Sequence, residues 1–231
     1  MKWLFILLTL SIHAHASVDE YSVRTDSAKL PKTVFDRIIR VFEKTFSPLS
    51  EAEGRKLEIM TDYQADWAQA FARRWETDQI IVYGGIAALK KGTEDTFALI
   101  LCHETGHLFG GTPYSDSFNR LSVEGQADYW ASSVCFPKIL SALSGRTPSR
   151  DALTYCGDDL ICARTVDAAT TITAHFADNR GLPHPSVHTA DDTVVDVLNY
   201  THPLPQCRLD TLVAGLRILP RPRCWYPEEN L

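Results

Sequence analysis

The chain has 231 residues, 45% of them hydrophobic and 23% charged, and its formal net charge is −6. This length is that of one domain and is sufficient for a hydrophobic core. The acidic balance provides no electrostatic footprint for nucleic acid or an anionic membrane, so we expect no nucleic-acid partner.

Residues 1–16 have the pattern of a secretory signal peptide. Lys2 precedes an apolar run, Leu4–Ile12, and Ala14-His15-Ala16 then provides the small residues of a cleavage site. The run is too short to anchor the chain across a bilayer. The alternative is a buried N-terminal helix. We expect export to the periplasm or the medium, no transmembrane anchor, and a mature domain, residues 17–231, with net charge −7.

The mature chain begins with a predicted amphipathic helix. Apolar residues recur with helical period over residues 31–46, on a face broad enough to pack against a core. Pro31 suits the first turn of this helix, and Pro48 is predicted to follow its end.

Short strands are predicted next. Residues 57–63 indicate one strand. Residues 66–74 and 79–84 fit a hairpin around Glu76-Thr77-Asp78. The alanine content of the first segment also permits a helix over 65–75.

An H-E-x-x-H motif lies near the middle of the chain. His103 and His107 are four residues apart, so a helix places both imidazoles on one face, where they can share a metal. Glu104 lies between them, as does the carboxylate base of zinc metalloproteases. Gly110-Gly111 gives the helix a place to end. The alternative is an exposed helix that carries these residues by chance.

A second helix provides a third ligand. Catalytic zinc usually has three protein ligands and one open position. Glu124 and Asp128 share one helix face, so Glu124 can reach the metal while Asp128 accepts the other N–H of His103. The alternative is a solvated acidic face.

The mature chain contains all six cysteines, an even number that indicates disulfides in an exported protein. Sequence alone cannot choose the connectivity. Cys156–Cys162 would close a short loop, Cys207–Cys224 would hold the C-terminal tail, and Cys102–Cys135 would join the two zinc helices. A cysteine metal site is disfavoured because the chain has no C-x-x-C pair.

The region after Cys135 has weaker patterns. Residues 164–176 fit a helix and residues 178–192 a surface loop. His184 and His188 are four apart, but Pro185 between them argues against a shared helix face, so we expect loop residues.

The two zinc-helix segments carry a resemblance. HETGH followed by EGQAD resembles the gluzincins, which are zinc peptidases with a glutamate as third ligand. Within them the chain is most similar to the CAAX-processing metalloprotease family, and especially to its soluble bacterial relatives. The matching blocks cover roughly residues 64–131 and 200–216.

Two further blocks carry this resemblance. An apolar strand ending in glycine, Ile80–Gly85, precedes the zinc helix, and Thr201-His202-Pro203 is followed by Arg208. The segment before that strand matches as well, with a glutamine where the family has asparagine. Its residues are Gln69, Ala70, Phe71 and Ala72.

The resemblance implies several roles. The strand at residues 69–72 would face the active-site cleft and bind an extended substrate at its edge, which favours the hairpin over the helix. His202 would stabilise the oxyanion, and Arg208 would position His202 or the acidic ligands. Without the resemblance, His202 could simply cap a turn and Arg208 could lie on the surface.

The sequence therefore predicts an α+β, mainly α, zincin-like single domain with a small antiparallel sheet and one Zn²⁺ per chain. Zinc would be bound by His103, His107 and Glu124, with Glu104 as general base in the hydrolysis of a protein or peptide substrate. The alternatives are a catalytically inactive zinc-binding envelope or interaction domain, and a disulfide-rich domain without metal.

Overall fold

A computed structural model describes residues 28–116 and 119–228 of the chain. The predicted signal peptide, residues 1–16, lies outside the described residues. Within them the architecture is α+β and mainly helical, as predicted. The helices are α1 (Lys32–Ala52), α2 (Glu94–Phe109), α3 (Glu124–Trp130), α4 (Phe136–Ile139), α5 (Arg150–Cys156), α6 (Leu160–Arg180) and α7 (Pro205–Leu216). The strands are β1 (Leu57–Asp62), β2 (Ala70–Arg74), β3 (Asp78–Tyr83), β4 (Tyr114–Asp116) and β5 (Leu121–Ser122).

The larger sheet has the strand order β1-β3-β2. The predicted hairpin is confirmed, since β2 pairs antiparallel with β3 in the register Phe71↔Ile81. Its first strand begins at Ala70 rather than at residue 66, and Asp78 belongs to β3 rather than to the turn. The expected small antiparallel sheet is therefore confirmed for β2 and β3 and wrong for β1, which pairs parallel with β3. Alternating hydrophobicity fixes which face of a strand is buried, but it does not fix the direction of its neighbour.

Helix α1 is longer than predicted, because it continues through Pro48 to Ala52. Proline normally disfavours a helix interior, since it lacks an N–H and crowds the preceding turn. Tertiary contacts hold the extra turns here. Phe46 is buried in the core, and the Ser50 hydroxyl donates to the Asp78 carboxylate at 2.7 Å.

Helix α2 is the central element of the fold. Thirteen of its 16 residues are buried, which is typical of a helix enclosed by a core rather than one lying on a surface. It packs against α1, α3, α6 and β2. The Phe97 ring stacks on Phe35 of α1 with centroids 4.9 Å apart. This enclosure fixes the position of any side chain that α2 carries.

Short local elements complete the fold. A π-helical turn, residues 131–135, joins α3 to α4. The link between α2 and α3 contains the small β4–β5 ladder, which the sequence did not predict. Helices α5 and α7 were not predicted either. Helix α6 contains the predicted segment 164–176 but is longer, and the expected loop begins after Arg180.

The six cysteines form three disulfides, Cys102–Cys135, Cys156–Cys162 and Cys207–Cys224. These are the three pairs considered from the sequence. Disulfides of this number are compatible with the predicted export. In the described ranges, no helix has the length and apolarity needed to cross a bilayer.

We expect the Cys102–Cys135 disulfide to contribute more to the free energy of unfolding than the Cys156–Cys162 disulfide does. It closes a loop with a sequence separation of 33, against 6 for Cys156–Cys162. In the chain-entropy treatment the longer loop contributes about 3–4 kcal/mol to the free energy of unfolding and the shorter one about 2 kcal/mol. Urea unfolding of Cys102→Ala/Cys135→Ala beside Cys156→Ala/Cys162→Ala tests this order. Equal losses would contradict it.

Candidate metal centre

Helix α2 brings the H-E-x-x-H side chains together. Its N-cap, Thr93, accepts a hydrogen bond from the Thr96 N–H, and the helix ends at Phe109 before Gly110 and Gly111, as expected. Gly111 has φ +79°, a conformation that favours glycine. On this helix the Nε2 atoms of His103 and His107 face each other at 3.1 Å.

Helix α3 adds a carboxylate to this pair. Glu124 Oε2 lies 3.2 Å from His103 Nε2, and Glu124 Oε1 lies 3.6 Å from His107 Nε2. Ligand atoms of these three side chains all lie within 4.8 Å of one another, so together they could hold a metal ion. The predicted ligand set is therefore brought to one place.

The close approach of α3 to α2 depends on a glycine. A Cβ at Gly106 would lie 2.7 Å from the Ala127 carbonyl oxygen and 2.9 Å from its Cα. Because these are backbone atoms, a side chain at residue 106 can only be accommodated by separating the two helices. Gly106 thus sets the distance between the histidines and Glu124.

We expect Gly106→Ala to weaken metal binding and to lower the free energy of unfolding by about 1–3 kcal/mol. The loss should appear even though alanine is intrinsically better than glycine in a helix. Gly145→Ala is the matched control, because a Cβ there meets nothing within 4 Å. Metal titration and urea unfolding measure both effects. Metal affinity in Gly106→Ala equal to that of the control would contradict this account.

Each histidine has a partner for its other ring nitrogen. His103 Nδ1 lies 2.7 Å from Asp128 Oδ1, and His107 Nδ1 lies 2.8 Å from the Ser122 carbonyl oxygen. Both oxygens can only accept, so each Nδ1–H donates. In the neutral rings the two Nε2 lone pairs then face the shared space. The role expected of Asp128 is therefore supported by its position. The Ser122 contact was missed because a backbone carbonyl leaves no signal in the sequence.

Arg208, at the start of α7, supports Asp128. Its Nε and Nη2 donate to the two carboxylate oxygens at 2.8 and 2.9 Å, and its guanidinium lies 4.5 Å from the Phe176 ring centroid. Arg208 is 2% exposed, so the surface alternative is wrong. The resemblance implied that Arg208 positions either His202 or the acidic residues. The contacts favour the second role, because Arg208 bonds Asp128, which in turn contacts His103.

His202 lies on the other side of Glu124. Its Nε2 is 3.1 Å from Glu124 Oε2, although this oxygen is buried and has no hydrogen bond with suitable geometry. The segment that carries His202 is bonded to the C-terminal tail, with the Asn199 N–H donating to the Trp225 carbonyl. The Trp225 ring packs directly on Gly125. The tail therefore holds His202 beside the three candidate metal ligands, His103, His107 and Glu124, which we call the metal cluster. The sequence did not predict this link.

The charges at this site favour a cation. Burial alone would lower the pKa of His103, but the Asp128 carboxylate outweighs it and raises that pKa to about 10. Burial would raise the pKa of Glu124, yet the neighbouring imidazoles, His107 first among them, hold it well below its usual range. Burial lowers the pKa of His202 to about 4, so at neutral pH this ring is uncharged. The field that favours a proton on His103 also favours a metal cation.

Glu104 is 2% exposed and lies on α2 between the two histidines. Burial raises the pKa of its carboxyl, while the charges of His103 and His107 lower it. A carboxylate made more basic beside a metal cluster has the properties of a proton acceptor.

Among the strands that the structure describes, β2 lies at an edge of the larger sheet. The Tyr83 N–H donates to the Gln69 carbonyl at 3.0 Å, so in this antiparallel ladder Gln69 and Phe71 use their backbone groups towards β3. By the same alternation Ala70 and Ala72 turn theirs away from β3, where Ala70 is 5% exposed and Ala72 is partly exposed. Four residues were predicted to contact the substrate through their backbone. For Gln69 and Phe71 this prediction is wrong, because their backbone groups are directed at β3.

Two other groups of potential metal ligands lie outside this centre. His184 and His188 lie in a loop, as expected, beside Asp178 at 2.7 Å and Asp151 at 3.0 Å. A second group with metal-ligand spacing, Asp191 with Cys207 and Cys224, has both sulfurs in a disulfide. It therefore lacks thiolates for a metal.

Comparisons with protein-family models, curated proteins and solved structures found no match to this chain.

Proposed function

We propose that the protein is an exported zinc metalloendopeptidase of the gluzincin type, with a zincin-like arrangement of α2 and α3. It would bind one Zn²⁺ through His103, His107 and Glu124 and hydrolyse peptide bonds in a protein or peptide substrate. The observation that carries the proposal is the meeting of two imidazole nitrogens and a carboxylate, with Glu104 on the same helix.

The donor set suits zinc. Ligand atoms about 2.0–2.1 Å from a tetrahedral zinc are about 3.3 Å apart. Here the two Nε2 atoms are 3.1 Å apart, and Glu124 approaches them through different oxygens, Oε2 at 3.2 Å from His103 and Oε1 at 3.6 Å from His107. A cation would also satisfy the buried Glu124 Oε2, whose polar neighbours include His103 Nε2 at 3.2 Å and His202 Nε2 at 3.1 Å. Two histidines and a glutamate are a set that catalytic zinc uses.

When bound, zinc would polarise the scissile carbonyl and lower the pKa of a water molecule. Glu104 would accept the proton of that water and later give a proton to the leaving amine. Asp128 would fix the tautomer of His103, and the Ser122 carbonyl would fix that of His107. Arg208 would keep Asp128 in place.

The remaining residues would act on the substrate. His202, neutral and held beside Glu124, would donate to the developing oxyanion. The outward backbone groups of Ala70 and Ala72 would pair with an extended substrate. Strand β2 is connected to α2 through Arg74, whose Nη2 donates to the Leu108 carbonyl at 2.7 Å. That hydrogen bond would connect the strand proposed to bind substrate to the helix that carries Glu104.

The alternative is an inactive zinc-binding envelope or interaction domain. A structural zinc site is usually closed by four protein ligands, whereas the cluster found among the described residues has three members. A structural site also needs no general base, which is the role proposed for the buried Glu104. Both observations favour catalysis.

The test is proteolysis by the purified mature protein, residues 17–231, with denatured casein and a fluorogenic peptide library as substrates. We expect cleavage that a zinc chelator abolishes and added zinc restores. If folded, zinc-loaded protein cleaves neither substrate, the peptidase proposal is wrong. The inactive zinc-binding domain then remains as the explanation.

A further inference from the structure

The ammonium group of Lys29 is enclosed by the loop that leads into β2. Its Nζ donates to the carbonyls of Tyr63, Gln64 and Ala65 at 3.0, 3.2 and 2.9 Å. It also lies 2.9 Å from the carboxylate of Asp66. Four consecutive residues thus direct oxygens at one cation, an arrangement we call the ammonium cradle, residues 63–66.

The cradle directs three successive backbone carbonyls at one point. Three successive carbonyls that point to one centre repel one another unless a positive charge lies between them. The Asp62 carboxylate accepts the N–H groups of Gln64 and Ala65 at 3.1 and 3.2 Å, which turns the backbone at the start of the loop. The conformation therefore depends on a cation at its centre.

The opposite side of the cradle is fixed by close packing. A Cβ at Gly84 would lie 2.0 Å from the Tyr63 carbonyl oxygen, and one at Gly85 would lie 2.3 Å from the Trp67 carbonyl carbon. The loop is thus held between Lys29 and the glycines that end β3. Lys29 itself is held in place, because the Tyr63 hydroxyl donates to the Leu30 carbonyl at 2.8 Å.

The cradle leads directly into the candidate substrate strand. Four residues after Asp66 the chain enters β2 at Ala70, whose outward backbone is one of the two groups expected to pair with substrate. The hydrogen bond from the Tyr83 N–H to the Gln69 carbonyl follows the cradle by three residues. A change in the cradle would therefore move the start of β2.

We infer that Lys29 is a positioning residue for substrate binding, whose ammonium group organises residues 63–66 and so places the edge of β2. This inference rests on the proposed peptidase function. The carbonyl contacts carry most of the effect, since the Lys29 side chain is 19% exposed while the Asp66 side chain is 64% exposed, and an exposed ion pair contributes little.

Kinetics with an extended quenched-fluorescent peptide test the role. We expect Lys29→Met to raise KM about 10-fold with kcat and zinc content unchanged. Lys32→Met is the matched control, because Lys32 Nζ lies over the same Tyr63 ring at 6.0 Å but bonds to Asp36. A KM for Lys29→Met equal to that of the control, or an effect on kcat alone, would overturn the inference.

A rescue experiment separates the cradle from general stability. Lys29→Ala removes the part of the side chain that n-propylammonium can replace, so this ion should restore KM. Tetramethylammonium, which cannot donate a hydrogen bond, should not. Equal effects of the two ions would overturn the inference.

Hydrogen exchange of the amides in residues 64–72 provides a readout without catalysis. Exchange should be faster in Lys29→Ala and slow again with n-propylammonium. If the wild-type protein cleaves nothing, the peptidase proposal fails while this exchange pattern still reports on the cradle. If it cleaves but Lys29→Ala exchanges like the wild type, the inference fails alone.

Discussion

We expect Glu104→Gln to abolish the proposed proteolysis and to leave metal binding intact. General acid–base catalysis by a positioned carboxylate typically contributes 10²- to 10⁴-fold, so we expect kcat to fall by about 10³-fold. The amide is nearly the same size, so the core around α2 should keep its packing. The proposed zinc ligands His103, His107 and Glu124 are unchanged in this variant. Peptide hydrolysis and metal content, measured on the same preparation, test both halves of this expectation.

The matched control is Glu51→Gln, which makes the same chemical change at an exposed residue of α1. It should have wild-type activity and wild-type metal content. If Glu104→Gln retained near-normal proteolysis, the assignment of Glu104 as the general base would be wrong. If it lost its metal as well, the loss of activity would reflect disruption of the site.

Arg208→Met has the second large expected effect. It leaves the Asp128 carboxylate, which is 2% exposed, without the guanidinium that now bonds both of its oxygens. Breaking a buried ion pair from one side typically lowers the free energy of unfolding by about 3–5 kcal/mol. Because Asp128 orients His103, we also expect zinc affinity to fall about 10- to 100-fold. Urea unfolding and zinc competition titrations measure the two effects.

Arg164→Met is the control for this variant. Arg164 bonds the buried Asp95 with two nitrogens in the same manner, but that pair makes no contact with the metal cluster in the described ranges. The control should lose stability and keep its zinc affinity. Equal zinc affinity in the two variants would contradict the positioning role of Arg208.

The metal cluster was largely predictable from the sequence, because it is built from residues that lie close together in the sequence of each helix. Spacing of four residues on a helix brings His103 beside His107, and the same spacing carries Glu124 and Asp128. The helix limits were encoded by Thr93 at one end and Gly110 at the other. Packing then only had to bring the two helices together.

The supporting contacts were not predictable, because they depend on segments distant in sequence. Arg208 reaches Asp128 across 80 residues, and the Ser122 carbonyl is a backbone group. Trp225 packs on Gly125 through a tail that had no periodic pattern. The parallel pairing of β1 and the continuation of α1 past Pro48 likewise follow from tertiary contacts that override local preference.

Metal content of the purified mature protein, produced with its disulfides formed, is the most direct test of the proposed zinc site, with His103→Ala/His107→Ala measured beside it. We expect about one zinc per wild-type chain, the stoichiometry of a catalytic site with three protein ligands, and none in the double variant. Folded wild-type protein that binds no metal even when zinc is supplied would rule out the site.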